Sequence, residues 1–279
     1  MHLKRAFLSI IPPALAGRLR AWRVRKLIAT YAVRIVQHRY GAGLLRVQLV
    51  DPLSAGWYDH DWAELPEIAT LRGRCLRAGA RVFDIGAHQG IVALMLAREI
   101  GPSGQVVAVE PNPHNAAAAV KNRDLNQLAQ VEILEAAVSD RSGTLIFSQA
   151  LDGQLDDGSG AGGRMTVVST TVDELAARFG MPDLVMIDAE GAECLILAGA
   201  RRVLASKADF AVEVHVGCGL EKLGGSVERV LAAFPTNRYS VLGRSEADET
   251  FRPVSKDDPL TRDRFFLLAL AAPGPEGKF

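Results

Sequence analysis

From residue 81 onward, short apolar runs alternate with longer segments in which apolar residues recur every three or four positions. The short runs predict buried β-strands at residues 81–85, 105–110, 131–138, 143–148, 184–188 and 210–216. The longer segments predict helices at residues 91–100, 116–128, 171–180 and 192–204. A late strand pair is predicted from the apolar runs at residues 239–242 and 264–270. This alternation predicts an α/β fold with a doubly wound, Rossmann-like sheet.

Two of the predicted helices carry recognisable start signals. Asn112 precedes Pro113, a pair in which the asparagine caps the first turn and the proline occupies the first helical position. Thr171 and Glu174 have the spacing of a capping box. Between these helices, the Gly- and Asp-rich residues 151–164 predict a mobile loop.

Residues 1–70 lack this alternation, and we predict a basic helical extension and lead-in there, followed by the main domain at 71–279. The extension contains a predicted helix at residues 14–36, with Leu19, Trp22 and Leu27 among its apolar positions. We expect this helix to pack on the domain, because a lone amphipathic pattern usually marks a packing face. The alternative is an arm that binds a membrane surface or a partner.

The charge distribution bears on that alternative. Residues 1–50 hold ten of the 32 basic residues and none of the 32 acidic ones, so the rest of the chain is acidic. A basic head suits an anionic surface such as the inner face of a membrane, whereas the acidic body argues against nucleic acid as the main partner. Three scattered cysteines without CxxC spacing favour reduced thiols, and therefore a cytoplasmic protein, over a disulfide framework or a zinc site.

The first two predicted strands end in candidate ligand-binding residues. Asp84 leads into a glycine-rich turn in which Gly86 and Gly90 are spaced GxxxG, not the GxGxxG of dinucleotide cradles. S-Adenosylmethionine (SAM) has no phosphate to cradle, and its sulfonium cation suits an acidic neighbour such as Asp84. Glu110 ends the next strand, where a carboxylate can accept hydrogen bonds from ribose hydroxyls. Ligands of such sheets bind beyond the carboxyl ends of the strands, so these residues favour a SAM site.

Several segments together resemble the FkbM family of class I SAM-dependent methyltransferases. The first SAM motif is similar to residues 83–90 (FDIGAHQG) and the second to residues 109–113 (VEPNP). The pattern of the FkbM family is similar to residues 187–193 (IDAEGAE), 213–215 (EVH) and 170–175 (TTVDEL). The resemblance covers about half of the chain, and it is the combination of segments that makes it specific.

The resemblance implies a Rossmann-like sheet with a reversed last strand, SAM as methyl donor, and as acceptor a hydroxyl of a sugar, glycan or natural product. It also implies a set of cofactor contacts at Asp84, Gly86, Ala87, His88, Gly90, Glu110, Pro111, Asn112, Ala137 and Asp188. One position departs from the family, which usually has Asn where this chain has His88. Contacts near the carboxylate of SAM are therefore expected to differ.

Methyl transfer to a hydroxyl needs a base or a metal ion to deal with the acceptor's proton. Asp188 and Glu190 follow one predicted strand two residues apart, and Glu213 and His215 repeat that spacing on the next strand. We predict that these four side chains converge and are catalytic, with His215 as the base at an unperturbed pKa of roughly 6.5. A divalent metal such as Mg²⁺ is the alternative aid. Glu193 is expected to be structural.

Two other classes of function remain open. The missing third glycine argues against an NAD-dependent oxidoreductase. Intact acids at three strand ends argue against a non-catalytic Rossmann-like scaffold. In either a methyltransferase or an oxidoreductase, loops build the substrate pocket, and we expect these loops at residues 51–62, 149–165 and 217–226.

Overall fold

A computed structural model describes residues 13–148 and 164–272 of the chain. In chain order, its strands are β1 (Arg34–Tyr40), β2 (Gly43–Leu49), β3 (Arg81–Ile85), β4 (Gln105–Glu110), β5 (Val131–Glu135), β6 (Ala137–Val138), β7 (Gly143–Ser148), β8 (Arg164–Thr170), β9 (Leu184–Ile187), β10 (Asp209–Val214), β11 (Tyr239–Arg244), β12 (Arg252–Pro253) and β13 (Phe265–Ala271). The α-helices are α1 (Pro13–Thr30), α2 (Pro52–Tyr58), α3 (Pro66–Leu71), α4 (Ile91–Ile100), α5 (Pro113–Leu125), α6 (Val172–Phe179), α7 (Glu193–Ala198), α8 (Arg201–Leu204) and α9 (Val227–Ala232).

The centre of the fold is an eight-stranded sheet in the order β12-β11-β13-β10-β9-β3-β4-β5. The strands from β10 to β5 are parallel, whereas β13 runs antiparallel to both of its neighbours. The strand order reverses beside β3, so a ligand crevice is expected at the carboxyl ends of β3, β4 and β9. The predicted α/β fold is confirmed, and so is the reversed last strand.

The helices cover both faces of the sheet, which explains why its parallel strands are almost continuously apolar. On one face, Phe83 and Val185 pack with apolar residues of α6, α7 and α9. On the other face, Val82 and Ala108 pack with α4 and with residues of β2. Packing on both faces therefore fixes the position of the strands and of the residues at their carboxyl ends.

The N-terminal helix is shorter than predicted, because α1 ends at Thr30 and residues 34–40 form β1. The β-branched pair Ile35 and Val36 favours a strand over the last turns of a helix. Strand β1 pairs with β2 in an antiparallel hairpin, and Leu45 and Val47 of β2 are buried in the same core as α4. The proposed domain boundary at residue 70 stays a prediction.

The expected packing face of α1 is not buried. Leu19, Trp22 and Leu27 are 40%, 52% and 49% exposed. The packing that we expected of these three side chains is therefore wrong. The physical reason is that basic residues interrupt the apolar stripe, leaving too narrow a face to bury. Within the ranges that the structure describes, no helix has both the length and the apolarity to cross a membrane.

Both predicted helix starts are confirmed, one of them in part. The side chain of Asn112 accepts a hydrogen bond from the His114 backbone N–H at 3.0 Å. That of Thr171 accepts from the Glu174 backbone N–H at 3.1 Å. Glu174 does not complete the capping box, because its carboxylate accepts hydrogen bonds from Ser142 and Thr170 instead.

Several element boundaries differ from the prediction. The segment 131–138 is divided into β5 and β6, because β6 leaves the main sheet to pair with β8. The segment 192–204 is divided into α7 and α8 at Gly199, which lies so close to the Ser139 carbonyl that a Cβ would approach it to 2.2 Å. Strand β8 was not predicted. Most of the predicted mobile loop at 151–164 lies outside the described residues.

Candidate active site

The turn after β3 presses its backbone against the end of β9. Gly86 has a φ of 87°, and a Cβ at this position would lie 1.8 Å from the carbonyl oxygen of Asp188. Only glycine combines this conformation with this close approach. The backbone N–H of His88 then donates to Glu110 at 2.9 Å, which ties the turn to the end of β4. Gly90 follows as the N-cap residue of α4.

Two buried carboxyl groups lie at the ends of β3 and β4. Glu110 accepts hydrogen bonds from the backbone N–H groups of His88 and Asn112, both at 2.9 Å. Asp84 Oδ2 has no hydrogen-bond partner within the described part of the chain. Burial raises the pKa of Asp84 to about 7, helped by the charge of Glu110, and burial also raises the pKa of Glu110 to about 7. A buried acceptor without a partner is costly, so Asp84 fits a ligand that brings a cation or a donor.

A cavity of about 90 Å³ lies beside these acids. Six of the predicted cofactor contacts line it, namely Gly86, His88, Glu110, Pro111, Ala137 and Asp188. Asp84 and Ala87 line the adjoining larger cavity instead. Gly90 and Asn112 line neither of these two cavities. They are the N-cap residues of α4 and α5, and of the two only Asn112 caps its helix with a side-chain hydrogen bond.

The larger cavity, of about 330 Å³, is within the size range of small-molecule sites. Its walls include the aromatic side chains of Trp57, Tyr58, Trp62 and Phe266. Three of these come from residues 51–62, one of the loops expected to build the substrate pocket. The expected loop at 217–226 contributes none of the residues that line this cavity. Of the loop at 149–165, residues 149–163 lie outside the described ranges.

His88 joins the glycine-rich turn to this aromatic wall. Its Nδ1 lies 2.7 Å from the Tyr58 hydroxyl, and its ring centroid lies 5.0 Å from that of Trp57. An asparagine, which the family usually has here, offers no comparable ring face. Through His88, the first SAM motif therefore contacts the aromatic wall of the larger cavity.

Four predicted side chains converge at the ends of β9 and β10. His215 Nε2 lies 3.5 Å from Asp188 Oδ1, 3.7 Å from Glu213 Oε1 and 3.8 Å from Glu190 Oε2. All four residues line the larger cavity. The structure thus brings the predicted groups together, while their catalytic role stays a prediction.

Glu193 contacts the second ring nitrogen of His215, Nδ1. It is fully buried, accepts a hydrogen bond from the Gly191 backbone N–H at 2.9 Å, and contacts His215 Nδ1 at 2.8 Å. Burial alone would lower the pKa of His215, but the bond to Glu193 and the surrounding carboxylates raise it to about 9. The expectation of an unperturbed pKa is therefore wrong. The sequence shows this third acid, three residues after Glu190, but it does not show that the Glu193 side chain is directed at His215.

Two arginines of the site were not predicted. Arg264 lies 3.2 Å from Glu213, and its other amino group lies 2.7 Å from Glu246. Arg244 forms a buried ion pair with Glu67 and stacks over the ring of Phe266 at 4.1 Å. Arg244 ends β11, and Arg264 directly precedes β13. The sequence alone does not show that β13 lies between β11 and β10, so it could not predict that these arginines reach the site.

Comparison with known proteins gives a family match and several more distant similarities. The family model of the methyltransferase FkbM domain matches residues 84–234, more than half of the chain. The catechol O-methyltransferase of Mycobacterium tuberculosis (strain ATCC 25618 / H37Rv) is 38% identical over 111 residues, which cover 37% of this chain and 46% of that protein. The chain thus spans about half the length of this curated relative.

Two solved structures are similar at low identity. Methyltransferase FkbM from Methylobacillus flagellatus KT is 17% identical, with a TM-score of 0.47 over 74% of this chain and 48% of that one. The O-methyltransferase TomG from Streptomyces achromogenes, solved with SAM and involved in tomaymycin synthesis, is 17% identical, with a TM-score of 0.42 over 74% of this chain and 77% of that one.

The family match runs from β3 through α9, so it contains every strand end that carries a predicted catalytic acid. It also contains the turn at Gly86 and the convergence at His215. The resemblance seen in the sequence is confirmed: the chain belongs to the FkbM methyltransferase family.

Proposed function

We propose that the protein is a SAM-dependent O-methyltransferase whose acceptor is a hydroxyl group of a sugar, a glycan or a natural product. The observation that carries the proposal is the shared wall of the two cavities. Trp57, Gly86, His88, Asp188 and Glu190 line both of them. A cofactor held by the SAM motifs would therefore lie beside a second cavity that contains the convergent acids.

The residues present fit SAM, which supplies a methyl group on a sulfonium sulfur, so that transfer to a hydroxyl yields a methyl ether, S-adenosylhomocysteine and a proton. Asp84 would hold the cationic part of the cofactor with its unpartnered oxygen. Glu110 would hold the ribose, since each carboxylate oxygen that accepts a backbone N–H keeps a second lone pair. Apolar residues of the smaller cavity, such as Val109 and Ile196, suit the flat adenine ring.

The residues of the larger cavity would orient the acceptor and deal with its proton. Asp188, whose side chain is 58% exposed, can accept a hydrogen bond from the acceptor hydroxyl. Glu213, like Asp188, lies close to His215 and offers a site to which the proton can pass. His215, whose raised pKa keeps it protonated at neutral pH, can accept the proton only after losing its own. Trp57 and Tyr58 would exclude water from the same space. The relative named a catechol O-methyltransferase supports oxygen as the methylated atom.

Calorimetry with SAM and with NAD tests the cofactor. We expect SAM to bind and NAD not to bind. Glu110→Ala should weaken SAM binding about tenfold or more, because it removes charge-assisted hydrogen bonds of about 1.5–3 kcal/mol. The matched control is Glu135→Ala, an exposed acid that ends the neighbouring strand β5 and lines neither cavity. NAD binding in place of SAM, or an unchanged affinity in Glu110→Ala, would contradict the proposal.

The acceptor class is tested by product analysis. Labelled SAM is incubated with the protein and fractions of host cell extract, and the labelled product is identified by mass spectrometry. We expect a methyl ether. A methylated nitrogen, carbon or nucleic acid would overturn the acceptor assignment while leaving SAM binding in place.

We also propose that α1 makes peripheral contact with an anionic membrane surface. Leu19, Trp22 and Leu27 are exposed on this helix, and Arg23, Arg25 and Lys26 between them are exposed as well. Exposed aromatic and aliphatic side chains beside cations suit the boundary between lipid headgroups and acyl chains.

A further inference from the structure

We propose that Asp188, Glu213 and His215 form a binding site for one divalent cation of the first transition row. This inference rests on the proposed function, because it states how the convergent acids would assist a hydroxyl acceptor. The three residues each present one ligand atom to a common point, and these atoms lie within 4.8 Å of one another.

The distances within the cluster suit a shared cation better than hydrogen bonds. His215 Nε2 lies 3.5 Å from Asp188 Oδ1 and 3.7 Å from Glu213 Oε1. Hydrogen bonds from nitrogen to oxygen are about 2.7–3.2 Å long, so a proton on Nε2 would reach neither carboxylate well. Metal bonds of about 2.0–2.2 Å place neighbouring ligand atoms about 3–4 Å apart, which agrees with both distances from His215 Nε2.

The histidine is oriented in the manner of a metal ligand. Its Nδ1 is held at 2.8 Å by the fully buried Glu193, which fixes the ring and leaves Nε2 directed at the two carboxylates. A histidine ligand almost always donates its other ring N–H to a carboxylate or carbonyl in this way. Glu193 would thus be a positioning residue.

The charges around the larger cavity also favour a bound cation. Among the described residues, the acids that line this cavity are Glu67, Asp84, Asp188, Glu190 and Glu213. Arg244 pairs with Glu67, and Arg264 pairs with Glu213. Asp84, which is 5% exposed and has an oxygen without a hydrogen-bond partner in the described ranges, lines the same cavity and adds to the negative charge near the three ligands. Clustered carboxylates repel one another, and one monocationic cofactor held by Asp84 would not balance Asp188, Glu190 and Glu213 as well.

The ligand set indicates the class of cation. One imidazole nitrogen with two carboxylate oxygens suits Mn²⁺, Fe²⁺, Co²⁺ or Zn²⁺, whereas Mg²⁺ prefers oxygen and water alone. The site opens onto the cavity that would hold the acceptor. A divalent cation there lowers the pKa of a hydroxyl that binds to it, which would help a poorly acidic acceptor lose its proton.

Manganese binding tests the site without any methyl transfer. The full-length, cofactor-free protein is stripped with a chelator and titrated with Mn²⁺, while electron paramagnetic resonance measures the free ion. We expect one tight site, a tenfold or greater preference for Mn²⁺ over Mg²⁺ in competition, and nitrogen modulation from a bound imidazole in the spin-echo spectrum of the wild-type protein.

Variants then locate the site. Glu213→Gln and Asp188→Asn should each weaken Mn²⁺ binding at least tenfold. The matched control is Glu246→Gln, because Glu246 also pairs with Arg264 but lies outside the three ligands. It should bind Mn²⁺ as the wild type does.

The absence of a tight site, the absence of nitrogen modulation, or equal losses in Glu246→Gln and Glu213→Gln would each overturn the proposal. The nitrogen signal needs no variant, so a misfolded substitution cannot obscure the result. SAM calorimetry is run on the same samples. SAM binding without Mn²⁺ binding refutes the cation site alone, and Mn²⁺ binding without SAM binding refutes the proposed function alone.

Discussion

Acidic residues of this chain differ in character according to what surrounds each carboxylate. Asp59 is half-buried, and a hydrogen bond to Arg34, together with a weaker effect of the one to His38, lowers its pKa. Asp84 and Glu110, buried side by side at two strand ends, have raised pKa values. The sequence predicted the position of the two buried acids because each follows an apolar strand. It could not predict their charge state, which depends on burial.

The raised pKa values predict how SAM binding depends on pH. A cationic ligand favours the ionised carboxylates, so its binding should release protons when the acids are partly protonated beforehand. Because both pKa values are about 7, SAM affinity should be constant above this pH and fall by up to about tenfold per ionising group for each pH unit below it. Calorimetry in buffers of different ionisation enthalpy measures the released protons.

Asp84→Asn tests the origin of this effect. The variant should bind SAM more weakly at pH 8 and should lose part of the pH dependence, because only Glu110 still titrates. Asp257→Asn, a change at an exposed acid, is the control and should behave as the wild type. A pH profile that is the same in Asp84→Asn and wild type would remove Asp84 from the cofactor site.

At the scale of elements, the helices and strands that could be predicted are those with a long apolar pattern and a start or end signal nearby in the sequence. Helix α4 was predicted with its bounds, since an uninterrupted apolar pattern is closed by Gly101 and Pro102. Strand β6 was not distinguished from β5, and β8 was not predicted at all, because β6 and β8 pair across about 30 positions of the chain. The helix predicted at residues 14–36 includes only the first three residues of β1, since a few β-branched residues weigh little against a long helical pattern. Local periodicity does not show which segments of the chain pair with one another.

The glycine turn between β3 and α4 is an element whose geometry can be tested directly. Gly86→Ala should destabilise the protein by more than about 2 kcal/mol and abolish SAM binding, because a Cβ meets the Asp188 carbonyl in a left-handed conformation. Chemical denaturation and calorimetry measure the two effects.

Gly56→Ala is the matched control for this substitution. Gly56 lies in α2, and a Cβ there would have no atom within 4 Å. Its replacement by alanine should leave stability unchanged or raise it by about 0.5–1 kcal/mol, since alanine favours a helix. A Gly86→Ala variant as stable as Gly56→Ala would show that the turn adopts another conformation in solution.

The whole molecule assembles its site from segments that no local pattern connects. Asp84, Glu110, Asp188 and Glu213 were predicted because parallel strands end at one edge of a sheet. The ion pairs of Arg244 and Arg264, beside β11 and β13, were not predicted, because no rule of strand order connects these residues to their partners in advance. Arg244 in β11 and Glu67 in α3 are 177 positions apart, and only the tertiary fold brings them together. Family resemblance supplied the SAM motifs and the acids at the ends of β9 and β10, but it did not extend to the aromatic residues Trp57, Tyr58, Trp62 and Phe266 that line the larger cavity.

At this scale the last prediction concerns α1, which exposes both large apolar and basic side chains. Leu19, Trp22 and Leu27 are exposed on it, and Lys26 lies 5.3 Å above the Trp22 ring. The protein should sediment with vesicles containing phosphatidylserine, and raising the salt concentration should weaken this binding, because the basic residues add about 1 kcal/mol each near such a surface.

Replacing Leu19, Trp22 and Leu27 together by serine should abolish sedimentation with the vesicles, since no apolar side chain then enters the headgroup region, while SAM affinity stays at the wild-type value. The control replaces Ile146 and Val168, two exposed apolar residues of β7 and β8, by serine. This control should still bind vesicles, because its substitutions lie outside the basic helix. Equal losses in both variants would reveal nonspecific adhesion, and an intact triple variant would exclude α1 as the contact.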